Sequence, residues 1–404
     1  MRKKMRKALP ILLSATMLMS ATTFSTINGA TTENVSVTAD NAEENSVQTI
    51  ALDADYAENE YLDVYGRTYY NTDNAGAAFN NSASGVEVRF VGTELTVTWK
   101  CKKSGRGGGF FSVYLDGSTE EANIVEVTNY DDYADVTLLT GLTDGAHSAR
   151  ILKRTASNAD TCYISAVKTD GYFQKAVEDT RLKVEVYGDS ITAGSGIIRD
   201  CYYDEGSCAW IDSGDYTNVN QNVFQSYAGV MAKELDARLN VFGRGGITMK
   251  YTSETAGYTV LNNYKSVYVD VPASEYPYDY GSYTPDVVVI YLGSNDYFQR
   301  DGAKPTFSVE GLKTGFEQFI REAIGENYGK DIPIFLCSGM MAPDSHLPEW
   351  MEDVKNRLQK DFPNLETVEF KACAIGHPVA AEGEVAGKQL ATAIKNKLDT
   401  LKNQ

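Results

Sequence analysis

The chain has 404 residues, a formal net charge of -18 at neutral pH and a sequence pI near 4.7. Such an acidic surface repels the phosphates of nucleic acids and of anionic lipids, which argues against both as partners and favours a neutral substrate. Its six cysteines are too few for a cysteine-stapled scaffold, and no pair has C-x-x-C spacing.

The N-terminus begins with a basic stretch, an apolar run from about Ala8 to Met19 and a small-residue region. This is the layout of a secretory signal peptide, so we expect residues 1–30 to be a bacterial signal and the protein to be extracellular. The apolar run is shorter than the roughly 18 residues that a membrane helix needs, so no membrane partner is expected. Residues 31–56 are polar and aperiodic, which predicts a flexible linker.

Residues 57–175 show the alternation of apolar and polar positions that is typical of half-buried strands. Strands are predicted at 86–90, 95–99, 110–115, 134–139, 147–153 and 162–169. The turn signals "LDGS" and "TDGAH" and the lack of helical stretches predict a small jelly-roll-like β-sandwich. The run "SGRGGGFF" lacks the ending of a phosphate-binding loop and joins two strands, which predicts a hairpin and not a nucleotide site.

Residues 176–404 show a different pattern, in which strand-like runs alternate with helical periods. Strands are predicted at 183–187, 240–243, 286–292, 332–337 and 366–370, and helices at 227–239, 312–320 and 390–401. The run "DVVVIYL" is apolar nearly throughout, as a parallel strand covered on both faces should be. We therefore expect a doubly wound α/β domain with a five-stranded parallel sheet. Its functional groups should lie beyond the carboxyl ends of the strands.

Two of these strand ends carry candidate acyl-transfer groups. "VEVYGDSITAGSG" places Ser190 at a strand-to-helix turn, where the positive end of a helix suits a nucleophile, although a helix N-cap is the alternative role. "NVFGRGGIT" contains three glycines that allow a backbone N–H to approach a ligand, as an oxyanion donor must, unless the run is a plain turn.

Two more strand ends add an amide and a histidine. "IYLGSNDYF" puts Asn295 just past a buried strand, where its amide either donates to an oxyanion or forms an Asx turn. "ACAIGHP" puts His377 in a loop at the same edge of the sheet. Each signal is weak alone, but Ser190, a glycine near 246, Asn295 and His377 follow four different strands at one end of one sheet. We interpret them as one catalytic site.

These blocks resemble the SGNH, or GDSL-type, esterase superfamily over the chain from about residue 180 to the end. "YGDSITAG", "FGRGGIT", "LGSND" and "GHP" are similar to its four motifs, and the oxyanion glycine aligns best with Gly246, with Gly243 as the alternative. The superfamily usually has an aspartate three residues before the histidine, where this chain has Ala374. That departure and the preceding sandwich are similar to carbohydrate esterase family 2, deacetylases of plant polysaccharides.

The resemblance implies a flavodoxin-like SGNH fold for the second domain and a Ser-His dyad with no metal or organic cofactor. Ser190 would be the nucleophile and His377 the general base, while the N–H groups of Ser190 and Gly246 and the Asn295 amide would stabilise the oxyanion. In place of the missing acid, a backbone carbonyl of Gly376 or Ile375, or a distant carboxylate, would orient the imidazole.

The function implied by the resemblance is a secreted carbohydrate esterase that removes O-acetyl groups from xylan or glucomannan. Its partner would be an acetylated polysaccharide or oligosaccharide. One alternative is a GDSL-type lipase or acyl esterase acting on non-carbohydrate esters. A second is a carbohydrate-binding protein with an inert hydrolase domain, although the nucleophile and the histidine are both present.

Two roles are open for several other residues. His346 is an alternative base in the loop after the fourth strand, whereas His147 is expected to be structural. The tyrosines of "EYPYDYGSY" either stack on sugar rings or pack a long surface excursion; they are Tyr276, Tyr278, Tyr280 and Tyr283.

The cysteines differ in context. Cys201 and Cys208 lie in a polar loop, where they either form a local bridge or stay free. Cys337 and Cys373 lie in apolar, strand-like segments, which predicts buried free thiols.

Overall fold

The computed structural model describes residues 48–102, 106–251, 258–271, 273–298, 307–341, 346–371 and 376–403, without the side chains of Tyr203 and Trp210. The predicted signal peptide, most of the predicted linker and residues 372–375, which include Cys373 and Ala374, lie outside this part of the chain. Among the helices in the described ranges, none is long and apolar enough to cross a bilayer.

The first half of the described chain consists of twelve strands, as follows. They are β1 (Thr49–Ala51), β2 (Leu62–Tyr65), β3 (Tyr69–Asn71), β4 (Gly76–Phe79), β5 (Gly85–Val91), β6 (Leu95–Cys101), β7 (Gly109–Leu115), β8 (Glu121–Val127), β9 (Ala134–Leu139), β10 (Ala146–Lys153), β11 (Cys162–Thr169) and β12 (Tyr172–Gln174). One sheet has the order β3-β4-β11-β6-β9, with β1 beside β11, and the other has the order β12-β5-β10-β7-β8, with β2 beside β5.

The two sheets enclose one apolar core, which confirms the predicted β-sandwich. In β6 every second side chain is buried, as the alternation predicted. Trp99 on β6 and Phe111 on β7 meet across the core with ring centroids 5.2 Å apart. Both rings are fully buried, and each such side chain stabilises the fold by about 1.5–3 kcal/mol.

Two predictions for this domain are wrong. The glycine run after β6 does not form a hairpin, because β6 pairs with β11 and β9 whereas β7 pairs with β10 and β8. The strands on either side of the run therefore lie in different sheets. The sandwich also begins within the segment predicted as linker, because β1 pairs with β11 from Thr49 onward.

The second half of the chain holds a five-stranded parallel sheet of order β16-β13-β17-β18-β19, which confirms the predicted doubly wound fold. The strands of this sheet are β13 (Lys183–Gly188), β16 (Arg238–Gly243), β17 (Val287–Tyr291), β18 (Ile334–Gly339) and β19 (Leu365–Phe370). Two further strands, β14 (Cys201–Asp204) and β15 (Ala209–Asp212), form a separate hairpin after β13. All neighbouring strands of the sheet are parallel.

Helices cover both faces of this sheet, with α1 and α7 on one face and α4 and α6 on the other. The α-helices are α1 (Tyr227–Glu234), α2 (Val260–Asn263), α3 (Ser294–Phe298), α4 (Val309–Phe319), α5 (Glu326–Tyr328), α6 (Leu347–Leu358) and α7 (Ala380–Lys402). A π-helical turn (Ile320–Gly325) lies between α4 and α5, and 3-10 turns lie at Tyr56–Glu58, Asn218–Asn220 and Val223–Gln225. The helix predicted at 227–239 is shorter, because Asp236 has a φ of 47° and Leu239 belongs to β16.

An arginine of the sandwich enters the α/β domain. Arg67, between β2 and β3, is 2% exposed and donates hydrogen bonds to Glu185 Oε1 at 2.9 Å and Tyr187 Oη at 2.7 Å on β13. It also donates to the carbonyl oxygens of Tyr264 and Ser266. These bonds offset the cost of removing a charged pair from water, so the two domains share a buried polar interface.

The four tyrosines before β17 pack at this interface. The Tyr278 ring centroid is 3.8 Å from the Arg67 guanidinium carbon, and Tyr276 packs on a tyrosine of β3 with ring centroids 4.2 Å apart. Tyr280 and Tyr283 each donate a hydrogen bond to a backbone carbonyl. Of the two roles left open for these residues, the structure supports packing.

The described cysteines are free thiols. Cys201 pairs across the β14-β15 hairpin with Asp212, whereas Cys208 lies at the turn, so the two ends of the hairpin keep these thiols apart and the local bridge is not formed. Cys337 is buried in β18, as predicted.

Candidate active site

Ser190 lies in the loop that follows β13. The segment after it forms a series of turns instead of the predicted helix, because Gly194 and Gly196 have φ values of 66° and 67°. Ser195 N donates to Ser190 O at 2.9 Å, so Ser190 still begins a tight turn. Within the described ranges the Ser190 N–H has no hydrogen-bond partner, which leaves it available to a substrate oxygen.

His377 lies in the loop between β19 and α7, and its Nε2 is 2.7 Å from Ser190 Oγ. A contact of this length is the one expected between a nucleophile and its general base. The other two histidines lie elsewhere. The His346 side chain is 66% exposed and contacts Glu349, and His147 is hydrogen-bonded within the sandwich. Of the three, His377 is the one that meets Ser190.

The electrostatics of the site keep His377 neutral. Burial lowers the pKa of the imidazole from 6.5 to about 4; the positive charge of Arg199 lowers this pKa too, while Asp212 opposes the change. A neutral imidazole can accept the Ser190 proton, so the base is competent at all pH values well above 4.

A salt bridge between a buried arginine and a partly exposed aspartate lies beside His377. Arg199 Nε and Nη2 donate to the two carboxylate oxygens of Asp212 at 2.8 and 2.9 Å. Arg199 Nη2 also donates to His377 O at 2.8 Å, and Nη1 donates to Gly196 O at 2.9 Å. One guanidinium therefore connects the serine loop, the β14-β15 hairpin and the histidine loop.

The imidazole is held by packing as well. Tyr216 lies edge to face against it, with ring centroids 5.2 Å apart. Among the described residues, the hydrogen bond of the ring is the one to Ser190; the predicted acceptor Gly376 O makes none, and Ile375 lies outside the described part. Asp212 affects the ring through its charge and makes no hydrogen bond to it among the described residues, so the group that orients the imidazole stays a prediction.

The predicted oxyanion glycine follows β16. Gly246 has a φ of 78°, and a Cβ built on it would meet nothing within 4 Å, so its backbone is open to a ligand. The alternative, Gly243, is the last residue of β16, where a Cβ would lie 2.9 Å from Gly188 O. The geometry fits Gly246 better, and its role as donor remains a prediction.

Asn295, at the start of α3, lies near the serine loop. Its Nδ2 donates to Ile247 O at 3.0 Å and to Asp189 Oδ2 at 3.3 Å. To donate to an oxyanion, the Asn295 amide would give up its longer hydrogen bond, the one to Asp189. The role of Asn295 as an oxyanion donor therefore also remains a prediction. Asp189 is fully buried, accepts hydrogen bonds from Ile191 N and Ser294 Oγ, and has its pKa raised by burial to about 6.

A second buried aspartate supports the loop after Gly246. Asp296 accepts the N–H groups of Met249, Lys250 and Tyr251 at 2.7, 3.1 and 3.1 Å. Burial raises the pKa of this carboxyl, and the three donors act against that rise. Asp189 and Asp296 were not predicted from the sequence, although each is adjacent to a predicted site residue.

A cluster of possible metal ligands, away from this site, lies in the sandwich. Cys101, Asp160 and Cys162 place their ligand atoms within 4.8 Å of one another in the described core. Lys153 Nζ lies 3.1 Å from Asp160 Oδ1 and donates to Thr155 O at 2.9 Å. An ammonium group therefore already balances the carboxylate, and the donor set does not fit a metal cation.

The order of domains matches known proteins. The model of the carbohydrate esterase 2 N-terminal domain matches residues 64–174, and that of the GDSL-like lipase/acylhydrolase matches residues 184–360. The cellulase/esterase CelE of Acetivibrio thermocellus is 31% identical over 331 residues, which are 78% of this chain and 37% of CelE. The chain is therefore similar to carbohydrate esterase family 2 over both of its domains. It spans little more than a third of the length of CelE.

Solved structures of family 2 share this architecture. The family two carbohydrate esterase from Clostridium thermocellum in complex with cellohexaose has a TM-score of 0.70 at 27% identity, covering 84% of this chain and 99% of that one. An acetyl xylan esterase from Butyrivibrio proteoclasticus has a TM-score of 0.71 at 18% identity, covering 88% and 99%. The second likeness concerns the fold alone.

Proposed function

We propose that this carbohydrate esterase is secreted and removes O-acetyl groups from plant polysaccharides such as xylan and glucomannan. The observation that carries the proposal is the 2.7 Å contact between Ser190 Oγ and the neutral imidazole of His377. Similarity to family 2 supports a carbohydrate ester, and the cellohexaose bound to a clostridial relative supports a sugar polymer as ligand. The contact argues against an inert hydrolase domain.

The first step would form an acetyl-enzyme. Ser190 Oγ attacks the acetyl carbonyl carbon while its proton passes to His377 Nε2. The carbonyl oxygen becomes an oxyanion that accepts hydrogen bonds from the N–H groups of Ser190 and Gly246 and from the Asn295 amide. The imidazolium then protonates the sugar oxygen, which leaves as a hydroxyl, and the acetyl group remains on Ser190.

The second step would hydrolyse this intermediate. Water attacks the acetyl carbon as His377 takes one of its protons, and the same donors receive the second oxyanion. The imidazolium returns the proton to Ser190 Oγ, and acetate is released. The carboxylate of Asp212 favours the imidazolium in both steps because its charge is opposite.

Released acid tests the proposal directly. The purified chain and its Ser190→Ala variant are incubated with acetylated xylan, acetylated mannan and a long-chain acyl ester. We expect acetate from both polysaccharides with the wild type and none with the variant. In a parallel pair, His377→Ala should lose nearly all activity and His346→Ala should keep it.

Each outcome has a clear meaning. Acetate release that survives Ser190→Ala would contradict the assignment of the nucleophile. A preference for the long-chain ester would favour a GDSL-type lipase over a deacetylase. Secretion is tested separately, by expressing the chain with its own N-terminus in a bacterial host and locating it in the medium or in the cells.

A further inference from the structure

A loop of the β-sandwich reaches the catalytic loops. Residues 154–161 connect β10 to β11, and Ala156 and Ala159 in this segment form a buried cluster with Ala193, three residues after Ser190. The same segment touches the strand that leads to the predicted oxyanion glycine. Ser157 Oγ donates to Gly243 O at 2.7 Å. The sandwich therefore packs against both the nucleophile loop and the oxyanion strand.

One side chain of this segment contacts the oxyanion loop itself. Asn158 Oδ1 accepts the N–H of Gly245 at 3.3 Å. A Cβ on Gly245 would lie 3.0 Å from Asn158 Nδ2, so the amide lies flat against this glycine. Asn158 is half-buried whereas its neighbours are buried, and the glycine that it contacts directly precedes Gly246.

We infer that Asn158 is a positioning residue for the oxyanion hole. The peptides around Gly245 and Gly246 lack side chains to restrict them, and glycine samples more backbone conformations than any other residue. By accepting the Gly245 N–H, Asn158 fixes the peptide that precedes the predicted donor. Donors stabilise an oxyanion best when they are already oriented, so the sandwich completes the catalytic site. This inference rests on the proposed acyl-transfer function.

The experiment compares Asn158→Ala with a matched control in hydrolysis of p-nitrophenyl acetate. Asn59 is also half-buried, and its Oδ1 accepts the Tyr61 N–H at 3.0 Å in the turn before β2. Asn59→Ala thus removes the same kind of hydrogen bond outside the catalytic loops. Thermal unfolding followed by circular dichroism gives the folded fraction of each variant, and kcat is calculated per folded molecule.

We expect Asn158→Ala to lower kcat by about tenfold, less than the hundredfold or more that follows loss of a donor itself. KM should stay within about twofold, because the oxyanion forms in the transition state and not in the bound ester. Asn59→Ala should leave both constants unchanged. A purely structural role would instead lower the melting temperature and leave kcat per folded molecule as in the wild type.

Two results would overturn the inference. One is a wild-type kcat for Asn158→Ala, and the other is a loss that appears in KM alone. The Ser190→Ala variant separates this inference from the proposed function. If Ser190→Ala abolishes hydrolysis and Asn158→Ala does not affect it, only the positioning role fails. If hydrolysis survives Ser190→Ala, the proposed function fails.

Discussion

Arg199 Nη2 donates a hydrogen bond to the backbone carbonyl oxygen of His377 at 2.8 Å. The two residues are far apart in sequence, and the same guanidinium holds Asp212 and the serine loop. The His377 loop is thus supported from the segment that follows Ser190. This arrangement gives His377 a fixed backbone and a nearby carboxylate, although position 374 carries an alanine.

Replacing Arg199 by methionine should reduce turnover and shift its pH dependence. The histidine loop loses its connection to the serine loop, and a misplaced catalytic group can cost about a hundredfold in kcat. The pKa of His377 should rise, because the charge that lowers it is gone and Asp212 is left unbalanced. The acid limb of the kcat/KM profile should therefore move to higher pH. Arg199→Lys, which keeps the charge without the planar fork, should lose kcat with little shift of the limb.

Replacing Asp212 by asparagine should have the opposite effect on the acid limb. Asp212 raises the pKa of His377, so its neutralisation should lower that pKa further and move the limb to lower pH. The imidazolium also loses a stabilising charge, and we expect kcat to fall by about tenfold, equivalent to about 1.4 kcal/mol. A pH profile from pH 3 to 8 measures both effects. A shift in the same direction as in Arg199→Met would contradict this account.

Acidification should destabilise the folded state through His377. Its pKa is lowered to about 4, so between pH 6.5 and 4 the unfolded chain binds a proton that the folded chain does not. The stability is fully present above pH 6.5 and is lost progressively as the pH falls, by up to about 3 kcal/mol. His377→Gln cannot bind this proton, so its melting temperature should fall less steeply over the same range. Parallel slopes for the two proteins would contradict the lowered pKa.

The buried pair at the domain interface should matter for stability. Arg67→Met leaves the Glu185 carboxylate buried without a counterion, which costs about 3–5 kcal/mol in the free energy of unfolding. Adding Glu185→Gln removes the unpaired charge and should restore part of this loss. Urea denaturation followed by fluorescence measures both.

An exposed ion pair provides the control. Lys233 and Glu120 are 2.8 Å apart with side chains 51% and 84% exposed, so Lys233→Met should cost less than about 1 kcal/mol. Equal losses for Arg67→Met and Lys233→Met would show that burial does not determine the cost.

The sequence was sufficient to predict the α/β domain and the two residues that meet in its candidate active site. A run such as β17 is buried along its whole length, and an apolar segment of that size has few other structures to adopt. Ser190 and His377 could be found because parallel strands present their carboxyl ends at one edge. The predicted sandwich strands were similarly clear from their alternation, whereas β1 is too short, at three residues, to show a period.

Contacts between distant segments could not be predicted. Alternation indicates that a strand forms but not which strand it pairs with, so it cannot reveal that β6 and β7 belong to different sheets. Arg199, Asp212 and Asn158 are ordinary polar residues in sequence, and their roles arise only when the fold brings them to the catalytic loops. Buried polar groups depend on partners that sequence spacing does not reveal.

The ion pair between Arg67 and Glu185 has a consequence for how such enzymes can evolve. A recombination event that transferred the α/β domain alone would leave a carboxylate in its interior without the arginine that neutralises it. The transferred fragment would fold poorly before any question of substrate arose. We therefore expect the two halves of the gene to be inherited together.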